Sequence, residues 1–238
     1  MFAHLCLLCD RSLTGRDNIC RDCEEHLPWL PPGCERCGLR TGSLSPGQSV
    51  HEQCIKNPPA FDRCLGAFEY RAPVNALIAR FKYRHRFAES RALGQLLAAT
   101  FTRHYDDNRL AMPECLLPMP LHQWRLRRRG FNQANMLAQH IAHRTGLQMD
   151  TFSIVRNKTA HNQKGQSRAQ RINNMQQVFA VNRRHRLGEV KHVAIVDDVV
   201  TTGATANALA QVLRDCGVQR IEVWCVARVN PAEHEDIS

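Results

Sequence analysis

The segment Val193 to Thr205, VAIVDDVVTTGAT, holds the densest chemistry in the chain. An apolar run ends in two adjacent carboxylates, Asp197 and Asp198. A turn with Thr201, Thr202, Gly203, Ala204 and Thr205 follows, and Ala206 to Cys216 has the composition of a helix closed by Gly217. Strand, loop and helix in that order put the loop at the carboxyl edge of a parallel sheet and at a helix N-terminus. Unpaired backbone N–H groups and the helix dipole favour a phosphate there. Threonine hydroxyls add donors, and Gly203 lets the backbone approach closely. Two neighbouring carboxylates can accept hydrogen bonds from two vicinal hydroxyls, as on a ribose. A ribose 5-phosphate satisfies these features together. A buried strand followed by an acidic helix cap explains one aspartate, but neither the second nor the Thr-rich turn.

A different chemistry occupies the beginning of the chain. Cys6, Cys9, Cys20 and Cys23 form a C-x2-C-x10-C-x2-C pattern, and Cys34, Cys37, His51 and Cys54 form C-x2-C-x13-H-x2-C. An x2 knuckle lets two thiolates of one tight turn reach the same ion, and zinc takes four tetrahedral Cys or His ligands. Four knuckles in 54 residues predict two closed, structural zinc sites rather than small buried residues. The His ligand and the spacing suit zinc better than an iron–sulfur cluster. Knuckle pairing stays open, and Cys64 is an alternative to His51. Cys115, Cys216 and Cys225 fall in predicted strands or at a helix end and read as packing residues.

These groups need two kinds of scaffold. Residues 1–64 are rich in Cys, Gly and Pro with little periodicity, so metal must hold them together. Residues 65–238 read as an α/β domain. Val74, Leu77, Ile78 and Phe81, then Leu93, Leu96, Leu97 and Phe101, then Ala134, Leu137, Ala138 and Ile141 recur at helical spacing, the last run ending at Gly146. Leu116–Pro120 is a short apolar run, and Phe152–Val155, Val178–Val181, Val193–Val196 and Ile221–Val229 read as strands. Their alternation with helices predicts a mainly parallel sheet with flanking helices.

The 238 residues carry a formal charge of +10. From Cys115 to Gly188 there are thirteen Lys or Arg and one acid, Asp150, a local balance of +12. The basic excess therefore belongs to one middle region and calls for a polyanion. A hydrophobic content of 43% excludes a disordered or collagen-like chain, and no apolar run approaches the ~18 residues of a membrane span. The start, MFAHLCLLCD, lacks the basic and long apolar regions of a secretory signal. A cytoplasmic location, with thiols reduced, is expected.

Val193 to Thr205 resembles the 5-phosphoribosyl-1-pyrophosphate (PRPP) motif of type I phosphoribosyltransferases over all thirteen positions. The resemblance implies that Asp197 and Asp198, the carboxylates of the catalytic centre, hold the ribose 2- and 3-hydroxyls. It also implies that Thr201, Thr202, Gly203, Ala204 and Thr205 cradle the 5-phosphate. Mg2+ would enter with PRPP, held chiefly by pyrophosphate and hydroxyls. PMPLHQWRLRRRGFNQANMLA (Pro118–Ala138) and KTAHNQKGQSRAQRINNMQQVF (Lys158–Phe179) resemble the pyrophosphate loop and flexible loop of the ComF/GntX family. Those proteins join an N-terminal zinc module to a type I phosphoribosyltransferase-like domain. Arg127, Arg128, Arg129, Lys158, Arg168 and Arg171 are the basic residues carried over for these loops, with the Arg128–Gln133 run, Thr159, Gln163 and Asn173. Gln166 departs from the pattern, where an apolar residue is expected. Thr201 stands where 6-oxopurine salvage enzymes carry an acidic general base, which argues against that substrate class.

The resemblance further implies a role in uptake or utilization of extracellular DNA, beside DNA-uptake machinery at the inner membrane. Two function classes follow. One is a Mg2+-dependent phosphoribosyltransferase with an unassigned acceptor. The other is a non-catalytic accessory protein that binds single-stranded DNA, with PRPP or a nucleotide as regulatory ligand. Trp124 and Phe131 beside the arginines are the aromatic candidates for base stacking, with core packing the more ordinary role for Phe131.

Overall fold

The computed structural model describes residues 4–15, 17–39, 49–83, 87–156, 178–182 and 187–230. The Cys-rich module has little regular structure: the antiparallel pair β1 (His4–Leu5) and β2 (Ser12–Leu13), and the short helices α1 (Arg21–Glu25) and α2 (Glu52–Lys56). Next come β3 (Arg63–Glu69), α3 (Val74–Tyr83), α4 (Phe87–Asp107), β4 (Cys115–Pro118), α5 (Gln123–Arg129), α6 (Gln133–Thr145) and β5 (Gln148–Met149). The chain continues through β6 (Ile154–Arg156), β7 (Phe179–Val181), β8 (His192–Val200), α7 (Ala204–Asp215) and β9 (Arg220–Arg228).

Five strands form one parallel sheet in the order β3-β9-β8-β4-β5. Its central strands are covered on both faces, hence the nearly unbroken apolar runs of β8 and β9. Even-numbered residues such as Ala194, Val196, Trp224 and Val226 pack in the cluster with Leu93, Leu97 and Leu137 of α4 and α6. Odd-numbered residues such as Val193, Ile195, Val223 and Cys225 pack with Leu209 and Leu213 of α7. This alternation is the period of two expected of a strand.

From β4 the chain moves outward to β5, and from β8 it moves the opposite way to β9. The switch point lies between β4 and β8, where a crevice opens at the carboxyl ends of the strands of an open α/β sheet. On the outer edge of β3, Leu30 N–H donates to Ala67 O at 2.9 Å and Glu69 N–H to Pro28 O at 2.8 Å. The module thereby covers a strand edge that would otherwise be open to pairing.

Several expectations are refined. Phe152–Val155 does not enter the main sheet: β6 pairs antiparallel with β7 in a separate ribbon. The residues after Leu121, within the segment that resembles a pyrophosphate loop, form α5, with His122 Nδ1 accepting from Trp124 N–H and Gly130 closing the helix at φ 77°. The strand expected at Val193–Val196 runs on to Val200 and includes both aspartates. Among the described residues no helix is long and apolar enough to cross a membrane.

Candidate functional site

A cleft of about 550 Å³ lies over the switch point. The loop after β4 and the start of α6 form one wall, and the Asp197–Ala206 segment forms the other. Gly203 is the N-cap of α7 at φ 78°, a left-handed conformation that suits glycine and not a side chain bearing Cβ. The twelve-residue α7 therefore starts at the cleft with the N–H groups of its first turn. Thr202 Oγ1 accepts from Ala204 N–H at 3.3 Å, tightening the turn.

Asp197 and Asp198 both line the cleft, and Asp198 N–H donates to Asp197 Oδ1 at 2.8 Å. Burial and the neighbouring Asp198 charge push the Asp197 carboxyl up to about 8, against the pull of that N–H, Lys82 and Arg156. Positive charge comes from three directions, with Lys82 from α3, Arg125 and Arg129 from α5, and Arg156 from β6 all lining the same space. Arg156 is held over the Phe179 ring at 5.7 Å. Gln133, 3% exposed, lies in the cleft wall. Its Oε1 accepts from Arg129 Nη1 at 3.2 Å, while its buried Nε2 has no partner among the described residues. A buried donor of this kind suits a ligand oxygen. Asn132 fixes this wall by accepting from Ala134 N–H at 3.0 Å and donating to Met119 O at 3.1 Å.

The carried-over basic residues separate here. Arg129 is in the cleft wall, whereas Arg127 and Arg128 stand on the exposed side of α5, with Arg128 5.5 Å over the Trp124 ring. Phe131 packs with Phe81 and Phe87 at ring distances of 5.7 and 6.4 Å. Lys158, Arg168 and Arg171, with Thr159, Gln163, Gln166 and Asn173, lie outside the described residues. Lys82 and Tyr70, both lining the cleft, carry no sequence signal of their own, because only the packing of α3 and β3 brings them there.

The cysteine knuckles assemble as two groups, Cys6/Cys9/Cys20/Cys23 and Cys34/Cys37/His51/Cys54, the ligand atoms within each lying inside 4.8 Å of one another. Tetrahedral zinc with Zn–S near 2.3 Å sets ligand atoms about 3.8 Å apart, and Cys9 Sγ–Cys20 Sγ is 3.7 Å and Cys37 Sγ–His51 Nδ1 is 3.4 Å. Cys20 N–H points at Cys6 Sγ (3.4 Å) and His51 N–H at Cys34 Sγ (3.3 Å). Burial raises these two thiols, but knuckle N–H groups outweigh it, lowering Cys6 to about 6 and Cys34 below the ordinary thiol value. The thiolate is the form that binds metal. Both groups fit structural Zn2+. Cys64 belongs to neither: it is buried in β3, opposite Val223 of β9.

Residues 1–55 match the double zinc ribbon domain and residues 126–237 the phosphoribosyl transferase domain. Competence protein F of Haemophilus influenzae is 31% identical over 228 residues, covering 95% of this chain and 98% of that one. The DNA utilization protein YhgH of Salmonella typhi is 32% identical over 227 residues, covering 94% and 96%. Among solved structures, the glutamine PRPP amidotransferase of Bacillus subtilis is 18% identical with a TM-score of 0.38, over 57% of this chain and only 25% of that longer one. The near-complete span shared with the competence and DNA-utilization proteins, at 31–32% identity, places the chain in their family, the ComF/GntX family.

Proposed function

We propose that the protein binds PRPP with Mg2+ in the cleft between β4 and β8, in service of the use of external DNA. The observation that carries this reading is the convergence on one cleft of two adjacent carboxylates, the Thr201–Thr205 turn and the start of α7. Asp197 and Asp198 would accept from the ribose 2- and 3-hydroxyls, and Thr201, Thr202, Gly203, Ala204 and Thr205 would hold the 5-phosphate. Arg129 and Gln133 Nε2 stand on the opposite wall, where a pyrophosphate group would meet donors. Lys158, Arg168 and Arg171 are proposed to complete that side. Mg2+ would enter with PRPP, with Asp197 and Asp198 as the residues that would help hold it, and would supply charge neutralisation to the pyrophosphate.

Whether the ligand is consumed turns on an acceptor. In phosphoribosyl transfer, pyrophosphate leaves carbon 1 and the acceptor takes its place, and the arginines here suit that leaving group. The zinc-bearing module, proposed at residues 1–64, would then supply recognition to the ligand domain at 65–238. In the alternative, non-catalytic reading, the exposed Trp124, Arg127 and Arg128 bind single-stranded DNA, and PRPP or a nucleotide regulates that binding. A cytoplasmic location beside DNA-uptake machinery at the inner membrane is part of this proposal; the relatives' names, Competence protein F and DNA utilization protein YhgH, support the role in DNA use.

Calorimetry of the zinc-loaded chain with PRPP and Mg2+ tests the PRPP-binding reading. One site per chain is expected, and absence of binding overturns it. Pyrophosphate release on adding single-stranded DNA or nucleobase pools favours transfer; altered PRPP affinity without release favours regulation.

A further inference from the structure

Arg228, the last residue of β9, is 3% exposed. Burying a guanidinium is costly unless its donors are answered. Its partners are backbone carbonyls: Nε donates to Cys37 O at 2.9 Å, and Nη1 donates to Val200 O at 2.8 Å, to Thr201 O, and to Val229 O at 3.3 Å. No carboxylate is within ion-pair distance of it among the described residues.

The ends of this set belong to different sites. Cys37 is a ligand of the second tetrad, and Val200 and Thr201 lead into the phosphate turn. One planar side chain spans the two, and arginine suits the place because its fork holds several donors in fixed directions. The contacts around it run the same way. Gly38, next to Cys37, has φ 69°, and a Cβ there would lie 2.6 Å from Cys64 O, so the knuckle sits directly on β3. Arg36, within the knuckle, donates to Phe61 O at 3.3 Å, and a Cβ on Gly203 would meet the Phe61 ring at 3.7 Å. Among the described residues no hydrogen bond joins the first tetrad to the phosphate turn.

We infer that Arg228 is a positioning residue that couples the second zinc site to the phosphate turn: metal on Cys34, Cys37, His51 and Cys54 raises affinity for the phosphoribosyl ligand. This rests on the ligand reading proposed above. Metal fixes the knuckle and with it the Cys37 carbonyl. That carbonyl orients the guanidinium, which holds the Val200 and Thr201 carbonyls and so the N–H groups that follow them. Coupling of this kind is reciprocal at equilibrium, so bound ligand tightens one zinc ion and leaves the other unchanged.

The test is competition for zinc between the full chain and a chelator at equilibrium, with and without saturating PRPP and Mg2+. PRPP is expected to raise the affinity for one of the two zinc ions about tenfold, an effect lost in Arg228→Met and reduced in Arg228→Lys. Amide hydrogen exchange at Thr201–Thr205 supplies a second readout. It is expected to quicken in Arg228→Met and Cys54→Ser and to stay unchanged in Cys9→Ser, which weakens the first site. Equal zinc affinity with and without PRPP, in protein that calorimetry shows to bind PRPP, overturns the coupling. If PRPP does not bind, the ligand reading fails and exchange alone decides: unchanged turn protection in Arg228→Met and Cys54→Ser overturns the coupling.

Discussion

Lys82 Nζ lies 2.8 Å from Asp198 Oδ2, with the two side chains 21% and 14% exposed. The pair sits beside Asp197, whose carboxyl burial and the Asp198 charge raise to about 8 while Lys82 pulls it down. Lys82 thus favours the ionised form of Asp197, the form that would accept a hydrogen bond from a ribose hydroxyl. Lys82→Met is expected to weaken PRPP binding about tenfold at pH 7, a loss of ~1.4 kcal/mol. The deficit should shrink as the pH rises past 8, as Asp197 loses its proton. Titrations at three pH values check this; a deficit equal at all of them would contradict it.

Asp197 also sets a stability slope. An acid whose folded value exceeds its unfolded one keeps a proton that the unfolded chain has released, so stability falls as pH rises between those values. Here that window runs from the ordinary 3.8 to about 8. Asp197→Asn removes the slope. The variant's Tm should therefore gain on the native protein's by several degrees between pH 5 and pH 8, measured by thermal scans without ligand.

At the opposite end of β9, Glu222 is fully buried. It accepts from Tyr105 Oη, from Trp224 Nε1 at 3.3 Å and from Arg220 Nη2 at 2.8 Å, with His192 Nε2 3.4 Å away. Burial raises its pKa, but these neighbours outweigh it and hold the carboxyl at about 2. Its contribution is complete above the unfolded value of 4.5 and is lost as pH falls toward 2. Glu222→Gln should cost about 2–3 kcal/mol at pH 7 in urea unfolding and leave PRPP affinity unchanged, since the residue is remote from the cleft.

The exposed side of α5 offers a separate prediction. Trp124 is 59% exposed with Arg128 over its ring, an arrangement suited to base stacking beside phosphate contacts. Trp124→Ala should weaken single-stranded DNA binding by about 1–3 kcal/mol. Arg127→Gln with Arg128→Gln should flatten the dependence of log affinity on log salt by roughly 1–2. Salt-series fluorescence anisotropy distinguishes the two effects.

The Thr201–Thr205 turn ahead of a helix and the knuckles were legible in the sequence because both are local: spacing along the chain is spacing in space. Gly146 and Gly217 likewise mark helix ends through their own positive φ of 75° and 93°. What sequence reading missed depends on tertiary packing. Lys82 reaches Asp198 only because α3 docks on the sheet, and Arg228 lies 191 residues from Cys37. Helix α5 was hidden because Gln123–Arg129 shows no apolar periodicity and is set by its caps instead. Strand β3, RCLGAFE, mixes Cys, Gly and charge, and reads as a strand only when β9 is beside it.

The central claim is that Asp197, Asp198 and the turn after them bind PRPP. Calorimetry of the zinc-loaded chain carrying Asp197→Asn with Asp198→Asn, titrated with PRPP and Mg2+ beside the native protein, tests it most directly. The expected result is a single site in the native protein and at least a hundredfold loss of affinity in the variant, or ~2.7 kcal/mol, with zinc content unchanged at two ions per chain. Equal affinity in both proteins, or none in either, would contradict it.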